Sequence, residues 1–141
     1  MRIFSIIFIF IIALFITSCS DESSPIGQDF VVAFKNQSID FSTIENQESI
    51  QLIFSKILVL YCHFHIKIST ELANYGTDFS TLPAASQNEL IIPFKKGDTS
   101  VNFSFQNLIY PFDRSDKKVQ FEITKIDYPQ AIIQGYSIVS I

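Results

Sequence analysis

The stretch from Ala73 to Phe105 narrows most sharply what this chain can fold into. It begins Ala73-Asn74-Tyr75-Gly76-Thr77-Asp78-Phe79 and runs through a polar spacer into Glu89-Leu90-Ile91-Ile92-Pro93-Phe94. It then turns at Lys95-Lys96-Gly97-Asp98-Thr99 and continues as the alternating segment Val101-Asn102-Phe103-Ser104-Phe105. Alternation of this kind marks a half-buried strand, and a slip of one residue would turn each inward phenylalanine to solvent. These features read as a corner followed by a hairpin, and the other strands must pack around them.

Most of what surrounds this stretch has strand character, and no segment shows a sustained helical period. Phe30 to Phe34 and Ser38 to Phe41, joined by Lys35-Asn36-Gln37, read as one edge strand broken in two. Ile50, Leu52 and Phe54 share a face. From Ile57 to Thr70 comes the longest strand-like run, with Leu58, Leu60, Cys62, Phe64, Ile66 and Ile68 on the core face. Tyr61, His63, His65, Lys67 and Ser69 lie on the other. Pro93 predicts an edge position, because proline donates nothing to a ladder. Val119 to Ile123 alternates, Asp127-Tyr128-Pro129 turns, and Tyr136 to Ile141 is a last strand. The expected fold is all-β, an immunoglobulin-like antiparallel two-sheet sandwich of about seven strands. With 15 Phe and no Trp, its core is expected to be built on phenylalanine.

Ahead of the sandwich, Met1-Arg2 leads into an apolar run from Ile3 to Ile16, broken only by Ser5, and then Thr17-Ser18-Cys19. A membrane-spanning helix needs about 20 apolar residues, whereas a secretory apolar region needs about 7–15. Ile16-Thr17-Ser18-Cys19 resembles the bacterial lipobox, which implies acylation of Cys19. A plain signal peptide or signal anchor is the alternative. The expected organisation is a lipoprotein signal peptide at 1–18, an acidic polar tether at 19–29 and a domain at 30–141. Asp21 and Glu22 resemble the acidic export signals of some surface lipoproteins, or are ordinary tether residues. The implied location is the bacterial cell envelope, lipid-anchored at the outer membrane or cell surface. A formal net charge of -4 with no Lys/Arg run argues against nucleic acid.

Tyr75-Gly76-Thr77-Asp78-Phe79, Ile91 to Thr99 and Val119-Gln120-Phe121-Glu122-Ile123 occur in the order and at the separations seen in Calx-beta domains. Glu45 stands where that family often has a glutamate before its second strand. From Val31 to Ile141 the chain resembles a Calx-beta domain, an immunoglobulin-like sandwich. In members that bind calcium, carboxylates come from the Asp-Tyr or Asp-Phe corner and from an acidic run after the alternating strand. The resemblance implies Asp78 as the corner ligand, with Asp113 and Asp116 as the remaining candidates. The acidic run itself is replaced by Leu108-Ile109-Tyr110-Pro111-Phe112, with Arg114, Lys117 and Lys118 close by. Calcium takes about 6–8 oxygen ligands and weakens as carboxylates are lost. The other reading of Asp78 is structural: an acceptor for backbone N–H groups of its own turn.

Further candidate chemistry is sparse. His63 and His65 share a strand face at the spacing of a zinc or copper pair, yet no third ligand is evident. Tyr61, His63, His65 and Lys67 form a flat face able to bind a protein partner or a glycan at the cell surface. Cys62 is the sole cysteine once Cys19 is acylated, so no internal disulfide is expected. With four Gly and no nucleophile-base, carboxylate-pair or phosphate-loop pattern, no enzyme is expected and no cofactor is implied beyond the calcium candidates. The functional expectation is a non-enzymatic adhesion, scaffold or partner-binding module. Its alternatives are a calcium-responsive module and a glycan-binding accessory lipoprotein of a surface uptake system.

Overall fold

The computed structural model describes residues 30–110 and 116–141. The signal segment, Cys19, the tether and Asp113 lie outside the described residues. Among the described residues nine strands form two packed sheets: β1 (Phe30–Phe34), β2 (Gln47–Phe54), β3 (Cys62–Glu71), β4 (Phe79–Leu82), β5 (Glu89–Phe94), β6 (Ser100–Asn107), β7 (Lys118–Ile126), β8 (Ala131–Ile133) and β9 (Ile138–Ser140). One sheet has the order β4-β6-β2-β1-β8, the other β5-β3-β7-β9. The all-β sandwich is therefore present, with two short strands beyond the seven expected. β8 was not foreseen: it pairs with β1 in parallel, an exception to the antiparallel expectation.

The alternating segments do bury one face each. Leu90, Ile92 and Phe94 of β5 and Phe103 and Phe105 of β6 are all core residues. They are not, however, a hairpin. β5 pairs with β3, whereas β6 pairs with β2 and β4, so the turn at 95–99 carries the chain from one sheet to the other. The two inward faces meet across the core instead of lying side by side. The turn is closed by Asp98, whose Oδ2 accepts from Lys95 N at 2.8 Å, with Gly97 at φ +98°.

The break in the first strand has a similar cause. β1 is flanked on both sides, by β2 and β8, and is not an edge. Ser38 then bridges to Ser140 of the opposite sheet, so the halves on either side of Lys35-Asn36-Gln37 serve different sheets. Likewise the long run expected from Ile57 begins only at Cys62. Residues 55–61 cross between sheets, with Leu58 buried while Leu60 is 51% exposed. Pro93 does lie on an edge strand, opposite His63. Among the described residues eight phenylalanines are almost wholly enclosed, which makes ring-on-ring contacts, tilted, edge-on and stacked, the filling of the core. Phe64 and Phe94 lie 4.4 Å apart, Phe103 and Phe121 5.0 Å, Phe79 and Phe105 5.2 Å.

Candidate functional site

β3 alternates as expected: Cys62, Phe64, Ile66 and Ile68 point inward, His63, His65 and Lys67 outward. Tyr61 precedes the strand and stands 76% exposed on the 55–61 connection, so it belongs to the end of the sandwich. Register places His65 between Ile91 of β5 and Lys125 of β7. A bulge follows at once, because Ile66 pairs with Ile123 and leaves Thr124 as an extra residue. Thr124 Oγ1 donates to His65 O at 3.0 Å, and Asp127 N donates to His63 O at 3.0 Å. The end of β7 is thereby held against His65.

The result is a charged row across three strands. His65 Nδ1 lies 2.9 Å from Glu89 Oε1, and its Nε2 lies 3.0 Å from Asp127 Oδ2. Asp127 Oδ1 in turn meets Lys125 Nζ at 2.6 Å. A neutral imidazole has one N–H, so only the imidazolium donates to both carboxylates. Hydrogen bonds to Asp127 first and Glu89 second hold the ring's pKa above its ordinary 6.5. The Lys125 ammonium, followed by His65, pulls the Asp127 carboxyl down to about 2. Both ring nitrogens of His65 are occupied, which separates it from His63 and leaves no two-histidine metal pair on this face. Sequence reasoning missed Glu89 and Asp127, because strand pairing and a bulge bring them together. The one signal available was the polar parity of His65 itself.

A pH dependence follows. A histidine whose folded pKa is raised stabilises the fold fully below its unfolded value of about 6.5, and that stabilisation is lost as pH rises through the raised value. The melting midpoint is expected to fall as pH rises above about 6.5, and His65→Gln is expected to flatten that fall. A wild-type slope unchanged in the variant would assign the dependence to other groups.

At the opposite end, Gly76 at φ +84° lets the corner close. Asp78 N donates to Asn74 O at 2.9 Å, and Asp78 Oδ2 accepts from Asn74 N at 2.8 Å. Lys117 Nζ lies 3.3 Å from the same oxygen and 3.0 Å from Leu72 O. The Asn74 N–H first, then the Lys117 ammonium, hold the Asp78 carboxyl below the usual range although it is buried. Asp116 is exposed one residue before Lys117. Among the described residues no cluster of three or more His, Cys, Asp or Glu is arranged for a metal. Cys62 is buried, and burial pushes its thiol pKa up.

The chain matches no family model and no curated protein in sequence. In structure it is similar to the crystal structure of the apo form of the Calx CBD1 domain, with a TM-score of 0.60 over 80% of this chain and 94% of that one, at 11% identity. The fold is a Calx-beta-like β-sandwich. Within this Calx-beta-like sandwich, one shallow surface depression is lined by Ser69, Thr70, Glu71, Lys118 and Gln120. A second runs along Ser38–Ser42 beside Lys117 and Lys118.

Proposed function

We propose that this chain is a non-enzymatic, lipid-anchored protein of the bacterial cell envelope, whose β-sandwich is an adhesion, scaffold or partner-binding module. The observation that carries it is the position of Phe30. This residue is already buried in β1, eleven residues after Cys19 (30 − 19 = 11). Eleven residues span at most about 36–40 Å, so acylation of Cys19 would hold a folded domain close to a membrane leaflet. The far end, around the Asp78 corner, then points away from the lipid. A partner-binding role is supported by the outward His63 and Lys67 and by the far-end loops.

Replacing the acylated residue tests the proposal. Cys19→Ala is expected to move the protein from the membrane fraction to the soluble fraction, with its melting midpoint unchanged. Retention of the variant in the membrane fraction would sink the lipoprotein reading.

A further inference from the structure

The connection between β2 and β3 exposes four apolar side chains out of five consecutive residues. Ile57 is 60% exposed, Val59 58%, Leu60 51% and Tyr61 76%, while Leu58 between them is fully buried. This is a built loop. Leu58 N donates to Asp98 O at 3.2 Å, Gly97 N donates to Leu58 O at 2.8 Å, and the Leu58 side chain plugs the core. Fixed backbone on both sides thus holds the apolar tips in water, where each is unfavourable.

The same end of the sandwich is where β1 begins. Ser55 N donates to Val31 O at 3.0 Å, Val31 N donates to Ser55 Oγ at 2.9 Å, and the Phe30 ring lies 4.6 Å from Tyr128. The loop is therefore beside the point at which the residues after Cys19 join the domain. Lys56, Lys95 and Lys96 are exposed around it. The other end also shows apolar residues, Leu72 on one segment and Leu108 and Tyr110 on another, beside Glu45, Glu71, Asp78 and Asp116 and the lysines Lys117 and Lys118. Among the described residues, the β1 end alone presents four exposed apolar side chains on one five-residue stretch, with Lys56, Lys95 and Lys96 beside them.

We infer that the Ile57–Tyr61 loop is a second membrane contact, seated in the headgroup region of the lipid surface that holds Cys19. This rests on the lipoprotein reading. Apolar tips flanked by lysines and a tyrosine suit an anionic lipid interface, where the aromatic ring sits at headgroup level and lysines meet phosphates. A single weak contact of this kind is reversible, but an anchor joined at the same end keeps it at high local concentration. Together they fix the orientation of the sandwich, with the Asp78 corner facing outward.

The chain has no tryptophan, so Tyr61→Trp places one reporter on the loop without background. The full lipidated protein, carrying that substitution, is incorporated into vesicles of phosphatidylethanolamine and phosphatidylglycerol brominated on their acyl chains. About half or more of the indole emission is expected to be quenched, since an interfacial group sits roughly 5–10 Å into the headgroup and acyl boundary. Tyr110→Trp is expected to stay unquenched, and adding Val59→Asp with Leu60→Asp is expected to relieve the quenching while the chain stays membrane-bound. A vesicle-bound protein whose indole at position 61 remains in water would overturn the contact and leave the anchor standing. Protection in native membranes but not in these vesicles would assign the loop to a protein partner and overturn the lipid contact. A protein that does not partition with vesicles at all would overturn both.

Discussion

Phe105→Ala is expected to lower the melting midpoint on the order of 10–20 °C, because truncating a buried phenylalanine costs about 3–5 kcal/mol. Phe105 is wholly enclosed and touches three rings: Phe79 at 5.2 Å, Phe41 at 5.1 Å and Phe121 at 6.4 Å. Those rings come from β4, from the short 3-10 turn Phe41–Thr43 and from β7, so the position ties both sheets and the far-end corner together. The surrounding rings belong to different strands and cannot all move into the gap, which puts the site toward the costly end of the range. Urea and thermal unfolding of the variant measure it. A midpoint within about 4 °C of the wild type, the value of roughly 1 kcal/mol in a small domain, would show that this ring cluster is not the centre of the core.

Lys117→Met is expected to have the second largest effect, about 2–4 kcal/mol, because removing one partner of an enclosed ion pair leaves the other charge uncompensated. Asp78 keeps its bond from Asn74 N at 2.8 Å, which holds the cost below that of a fully orphaned charge. The pH sign is fixed by the depressed carboxyl. A carboxylate whose folded pKa is lowered stabilises the fold above its unfolded value and loses that contribution as pH falls through the folded one. Without Lys117 the carboxyl pKa rises, so the acid limb of the stability curve is expected to begin at higher pH in the variant. An unchanged acid limb would mean that the Asn74 N–H alone controls Asp78. In the wild type, millimolar calcium is expected to leave the midpoint where chelator does, since the Lys117 ammonium already neutralises the corner carboxylate. A rise on the order of 10 °C, as for a ligand at 100 times its Kd, would restore Asp78 as a ligand.

The sequence by itself determined the all-β class, the phenylalanine core, the inward parity of β2 and of β3 from Cys62 onward, the edge position of Pro93 and the Gly76-Asp78 corner. Each of these follows from local causes: period-two alternation, a residue without an N–H, or a glycine where the backbone needs positive φ. Tertiary structure alone decided which sheet each strand joins. Leu90 to Phe94 and Val101 to Phe105 have the same pattern whether they pair as a hairpin or face each other across a core, because alternation states which face is inward and not which strand is the neighbour. For the same reason Glu89, His65 and Asp127, spread over 62 positions from His65 to Asp127 and 24 from His65 to Glu89, gave no joint signal. Pairing of β3 with β5 and β7, and one bulged residue, put them in contact. The exposure of Leu60 was hidden similarly: its alternation with Leu58 and Cys62 reads as core until the crossing between sheets turns it to solvent.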